Sequence, residues 1–166
     1  FSFPNNFYTF KNILKRKEKE NYYRRSPKLK NEEIMYYKYQ LKSMRRFVNL
    51  IEKFSREFPM EKIYIRPHPT ENINFWINKF KNYKKIKIMP EGDLSIYIRN
   101  AKLVVQDGCT SAMESYISNI PVINYVPIKS NKHSFGQFIK NVCLNIRNEN
   151  EFFKLFRSKK YKLLKN

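Results

Sequence analysis

The sequence predicts an α/β domain: a Rossmann-like open parallel sheet with helices on both faces. Three observations lead there. Short β-rich runs alternate with segments of helical spacing from residue 60 onward. The connections between them are short, and no internal repeat or low-complexity linker interrupts the order. Strands and helices in near-strict alternation, with brief turns, favour parallel strands whose two faces are covered by the crossover helices. At 166 residues the chain is long enough for a core without staples, since chains of this size bury roughly 70% of their unfolded surface.

Residues 1–30 show no period and end in the run KRKEKENYYRRSPKLK. Because Pro27 opposes a continuous helix, this part reads as an irregular basic lead-in, and 31–166 as the folded domain. Ile34, Tyr37, Leu41, Met44, Val48, Ile51 and Phe58 then recur mostly at three- and four-residue steps. With Asn31 as N-cap and Pro59 as stop, that predicts an amphipathic helix over 31–58. KIYIR (62–66) and KIKIM (85–89) read as strands flanking a helix in ENINFWINKF (71–80). DLSIYIRNA (93–101) is a helix capped by Asp93, KLVVQ (102–106) a strand, and CTSAMESYISNI (109–120) a helix. PVINYV (121–126) and VCLNI (142–146) complete the strands, and 149–157 is the last helix.

Charge and composition exclude several function classes. The formal net charge is +20, from 34 basic and 14 acidic residues, which on its own points to nucleic acid or an anionic membrane. Residues 1–30 carry +7 and 151–166 carry +5, whereas 89–128, the stretch with the most specific pattern, carries −2. Net positive charge on the flanks and a slightly acidic patterned centre argue against nucleic acid as the main partner. They fit flanks held near an anionic membrane surface. No apolar run approaches the ~20 residues of a membrane span. Two cysteines make no disulfide framework, so a reducing, cytoplasmic compartment is expected. The opening FSFPNNF, without an initiator Met or a secretory pattern, reads as the start of a piece of a longer chain.

Only three glycines occur, Gly92, Gly108 and Gly136. That excludes a P-loop and a GxGxxG fingerprint, both of which need several glycines in one turn. No CxxC or HExxH spacing and no DxD pair exists, so neither a metal nor another cofactor is expected.

Two places remain. In RPHPT (66–70), Pro67 and Pro69 force Arg66 and His68 into extended backbone at a strand's carboxyl end. Ligands of open α/β sheets bind there, so Arg66 could fork onto a phosphate and His68 donate to one. The alternative is a turn whose histidine only caps a helix. In VVQDGCTSAMES (104–115), a buried strand turns at Gly108 and enters a helix through Cys109, Thr110 and Ser111. A helix N-terminus offers backbone N–H groups and partial positive charge, and the two hydroxyls add donors. Glu114, one turn further on, can accept from ribose or sugar hydroxyls. The alternative is an ordinary N-cap, Thr110 or Ser111, with Glu114 closing a capping box on Ser111. Cys109 reads as a small turn residue, since no histidine lies near it in sequence to activate it.

RPHPTENINFW, the spacing to QDGCTSAMES, and then IPVINYVP resemble the carboxyl-terminal half of bacterial surface carbohydrate biosynthesis proteins. Those are glycosyltransferases of the two-domain GT-B type. The resemblance spans about 60–130 and, in outline, the helix at 31–58. The His-Pro loop and the strand-turn-helix are more loosely similar to CDP-glycerol glycerophosphotransferases, capsule Kdo transferases and UDP-N-acetylglucosamine 2-epimerases. The resemblance implies a nucleotide-sugar donor on His68 and the 108–114 turn, and a glycan or lipid-linked acceptor. It implies catalytic groups on another domain, so no catalytic residue is assigned in this chain. It also implies work at the cytoplasmic face of the cell membrane. Gln106-Asp107 stand where the resemblance implies His-Asn. A 2-epimerase, a glycerophosphotransferase and a basic nucleic-acid or membrane module are the alternatives.

Overall fold

The computed structural model describes residues 14–21, 24, 27–68, 71–128 and 141–164. The opening FSFPNNF, and Pro69 and Thr70 of the first motif, lie outside them. The chain is α/β, with parallel strands only among the described residues. Its elements, in order, are α1 (Pro27–Glu57), β1 (Ile63–Ile65), α2 (Ile73–Phe80), β2 (Ile86–Ile88) and α3 (Leu94–Arg99). Then follow β3 (Val104–Gln106), α4 (Ser111–Ile117), β4 (Val122–Tyr125), β5 (Leu144–Ile146), α5 (Glu149–Arg157) and a 3-10 turn at Lys160–Leu164. They fall into two compact units, Phe1–Pro90 and Glu91–Asn166. The strands form two sheets, β1-β2 and β3-β4-β5.

In the first unit, α1 starts four residues earlier than the sequence predicts, and residues 14–19 are helical too. Pro27 begins the helix rather than blocking it, because at the first helical position its missing N–H has no helical acceptor to lose. Asn31 is therefore inside the helix, not its cap. Met44 and Val48 of α1 pack with Ile65, Trp76, Phe80 and Ile86, with Leu41, Ile51 and Tyr83 around them. The Trp76 and Phe80 rings stack at 6.2 Å, one turn apart on α2. Asn72 caps α2 by accepting from Asn74 N–H. In the β1–β2 ladder, Ile63 faces Ile86 and Ile65 faces Ile88.

In the second unit, Asp93 caps α3 as predicted, its side chain accepting from Ser95 N–H at 2.9 Å. All of β4 is buried between β3 and β5, as a central parallel strand requires. Ala112, Val122 and Cys143 form a small core with Val104 and Val142 beside it.

Candidate functional site

The first motif sits at the carboxyl ends of β1 and β2. Half-buried Arg66 reaches across: its Nη1 donates to the Met89 carbonyl at 3.1 Å. That bond ties the two strand ends together and fixes one side of the guanidinium. Glu71, which the sequence reading overlooked, organises the turn. Its Oε1 accepts the His68 backbone N–H at 3.2 Å, and its Oε2 accepts Trp76 Nε1 at 2.7 Å. The His68 carbonyl in turn accepts from Glu71 N–H at 2.8 Å. Burial pushes the Glu71 carboxyl above its ordinary range, and the Trp76 and His68 donors pull partly the other way. The cap of α2 is Asn72, so His68 is not a capping residue. Its side chain is exposed, yet partial desolvation holds its imidazole below 6.5. That favours the neutral ring, which can donate from one nitrogen.

The second motif sits at the carboxyl end of β3. Gln106, Asn124 and Asn145 occupy equivalent positions on three adjacent strands: Gln106 faces Asn124 and Asn124 faces Asn145. Their amides run in a chain. Gln106 Nε2 donates to Asn124 Oδ1 at 3.1 Å and to Cys143 Sγ at 3.8 Å, and Asn124 Nδ2 donates to Asn145 Oδ1 at 2.7 Å. Asn124 is fully buried and Gln106 nearly so. Buried amides are stable only when paired, and here each satisfies its neighbour.

This ladder takes up part of the turn. Asn124 Oδ1 also accepts Gly108 N–H at 2.9 Å, and Gln106 Oε1 accepts Cys109 N–H. Gly108 adopts φ 62°, the left-handed backbone that its lack of a side chain allows. The expected anion contacts are narrowed accordingly. The Gly108 and Cys109 amides are spent on the protein. Ala112 and Met113 N–H bond to the Cys109 and Thr110 carbonyls. The Thr110 and Ser111 amides have no acceptor among the described residues. Thr110 is exposed and its side chain makes no capping bond, while Ser111 is buried at 9%. The Thr110 hydroxyl is therefore the accessible one of the expected pair.

The capping-box alternative fails on geometry. Thr110 is the N-cap of α4 and Ser111 its first helical residue, so Ser111 and Glu114 lack the required cap and N3 positions. Glu114 is half-buried, with no side-chain partner among the described residues. Its carboxylate lies one turn along the helix that begins at the two open amides. Burial raises the Cys143 thiol above 9.0, against a smaller opposing effect of the Gln106 bond. Cys109 is half-buried.

Arg66 and His68 belong to the first unit, and Gly108, Cys109, Thr110, Ser111 and Glu114 to the second. Asn124 left one signal in the sequence: an amide in the middle of the apolar run PVINYV, where a buried polar group demands a partner. Glu71 left none, since an acidic residue before a helix is commonplace. No family model matches this chain, and no curated protein or solved structure matches it significantly.

Proposed function

We propose that this chain is the nucleotide-sugar binding part of a glycosyltransferase of bacterial surface polysaccharide synthesis. In this reading it is a Rossmann-like domain of the GT-B type. The observation that carries the proposal is the turn after β3. Among the described residues its Thr110 and Ser111 amides and the Glu114 carboxylate one turn on have no partner, while its Gly108 and Cys109 amides are locked inward. That order of groups suits a ligand that is anionic at one end and carries hydroxyls at the other. The position supports it as well, since carboxyl ends of parallel strands are where α/β sheets take nucleotides. The resemblance of RPHPTENINFW and QDGCTSAMES to surface carbohydrate enzymes supplies the sugar.

When the sugar transfers to an acceptor hydroxyl, negative charge develops on the departing phosphate. Backbone N–H groups fixed before the reaction stabilise that charge without reorganising. Thr110 and Ser111 supply them, and the amide ladder keeps the turn from collapsing onto them. Glu114 accepts from the ribose or sugar hydroxyls and sets the ligand's direction. Arg66 and the neutral His68 imidazole are donors of the same kind at the β1 end. The acceptor site and the catalytic base belong to a part of the enzyme outside this chain.

The test is a melting curve of the chain with CMP, CDP and UDP in turn at millimolar concentration. At least one should raise the melting temperature. No shift with any of the three sinks the proposal.

A further inference from the structure

The charge on α1 is sorted. Its exposed residues all fall on one arc of about 120° at 3.6 residues per turn, along a rod of about 46 Å. On that arc lie Lys28, Lys38, Lys42, Arg45, Arg46, Lys53 and Arg56 against a single acid, Glu57. Seven to one far exceeds the 34 to 14 of the whole chain, so general basicity does not account for it. The other acids of α1 are turned aside. Glu33 accepts Lys17 Nζ at 2.8 Å, and Glu52 takes Lys79 Nζ at 2.7 Å and the Tyr83 hydroxyl at 3.4 Å. Glu32 is half-buried. Internal pairing of the acids leaves the outward face positive along its length.

We infer that this face of α1 docks the protein on an anionic lipid bilayer. The partner must be anionic, and the geometry selects a plane over a groove. A helix that reads duplex DNA enters a major groove about 12 Å wide and 8.5 Å deep. The groove curves around the duplex, so a straight rod of about 46 Å meets it over only part of its length. Here Met44 and Val48 hold the opposite side of α1 in the core of its unit, and only the outer third is open. A half-embedded rod with a straight basic ridge lies along a flat surface. Two apolar side chains accompany the ridge: Met35, 58% exposed on the same arc, and Met60, 82% exposed just beyond the helix. Side chains of that kind enter the headgroup region, where they add to electrostatic attraction. No exposed aromatic ring lies on the arc to stack a base; Tyr39, at its edge, is half-buried.

The experiment uses the full chain. Wild type is sedimented with vesicles of pure phosphatidylcholine and with vesicles in which part of it is replaced by phosphatidylglycerol. It is compared with Lys42→Gln/Arg46→Gln on the ridge and with Lys81→Gln/Lys84→Gln, an equal charge change at exposed positions off α1. Wild type should bind only the phosphatidylglycerol vesicles and release them in high salt. Each basic residue near such a surface is worth about 1 kcal/mol, so the ridge variant should bind roughly 30-fold more weakly. The off-ridge variant should stay close to wild type. Equal losses in both variants would mean that net charge alone drives binding. A ridge variant that binds like wild type would place the contact on the basic flanks. A duplex oligonucleotide that strips the protein from vesicles, and depends on Lys42 and Arg46, would assign the ridge to nucleic acid. Each of these three results overturns the inference.

Discussion

The side-chain oxygen of Asn124 accepts the backbone N–H of Gly108 at 2.9 Å. The same oxygen holds Gln106 Nε2 at 3.1 Å. One buried carbonyl on the middle strand thus fixes both the last side chain of β3 and the first amide of the turn. Asn124→Leu keeps the branched shape and removes both bonds, leaving the half-buried Gly108 N–H without an acceptor and Gln106 Nε2 with only the Cys143 sulfur. A buried donor left unsatisfied costs about 1–3 kcal/mol, so urea unfolding should show a loss of that order. A loss near zero would mean that the turn does not depend on the ladder.

Glu114→Gln separates binding from stability. Because Ser111 is inside α4 and not its cap, there is no capping box to break. Only the attraction of the carboxylate to the helix N-terminus is lost, about 0.3–1 kcal/mol. If Glu114 accepts from ligand hydroxyls, nucleotide affinity should fall about tenfold, the worth of one charge-assisted bond. Equal affinities in the two proteins would remove Glu114 from the site.

Trp76 is the only tryptophan, and its indole N–H rests on Glu71. Its emission should therefore report the ionisation of that carboxyl. Burial raises the folded-state value above the ordinary 4.5, so the folded chain holds the proton more tightly than the unfolded chain. The sign follows. The stability from this group is full below 4.5 and is lost as pH rises through the raised folded-state value. Trp76 emission should titrate with a midpoint above 4.5, and Glu71→Gln should flatten the curve. A midpoint at or below 4.5 would contradict the burial argument.

The fold was legible where periodicity and caps agreed. Asp93 opens α3, and 149–157 is helical, because local capping and packing ask for the same structure there. The start of α1 was misread because Pro27 was weighed as a breaker, although its cost vanishes in the first turn. Strand positions were found, but their grouping into two sheets was not, since apolar runs carry no label of their neighbours. At the turn after β3 the residue types were visible and their use was not. Whether an amide faces a ligand or the protein depends on Gln106 and Asn124, and Asn124 is 16 residues beyond Gly108 in sequence.

The two thiols should differ in reactivity. Cys143 is 7% exposed and its thiol is raised by burial, whereas Cys109 lies half-buried in the turn. Since the thiolate is the reactive form, a native sample at neutral pH should label at Cys109 and at Cys143 only after unfolding. Equal rates at both would show that the β3–β5 core opens readily.

If the turn after β3 binds as proposed, the Thr110 and Ser111 amides receive an anion while those of Gly108 and Cys109 do not. Amide-resolved NMR of the nitrogen-labelled chain, titrated with CMP, CDP and UDP, measures this directly. With at least one nucleotide, the Thr110 and Ser111 amide signals should move downfield as their protons gain an acceptor. Gly108 and Cys109, already bonded to Asn124 and Gln106, should move little. Unchanged Thr110 and Ser111 signals with all three nucleotides at millimolar concentration would mean that this turn does not hold a nucleotide phosphate.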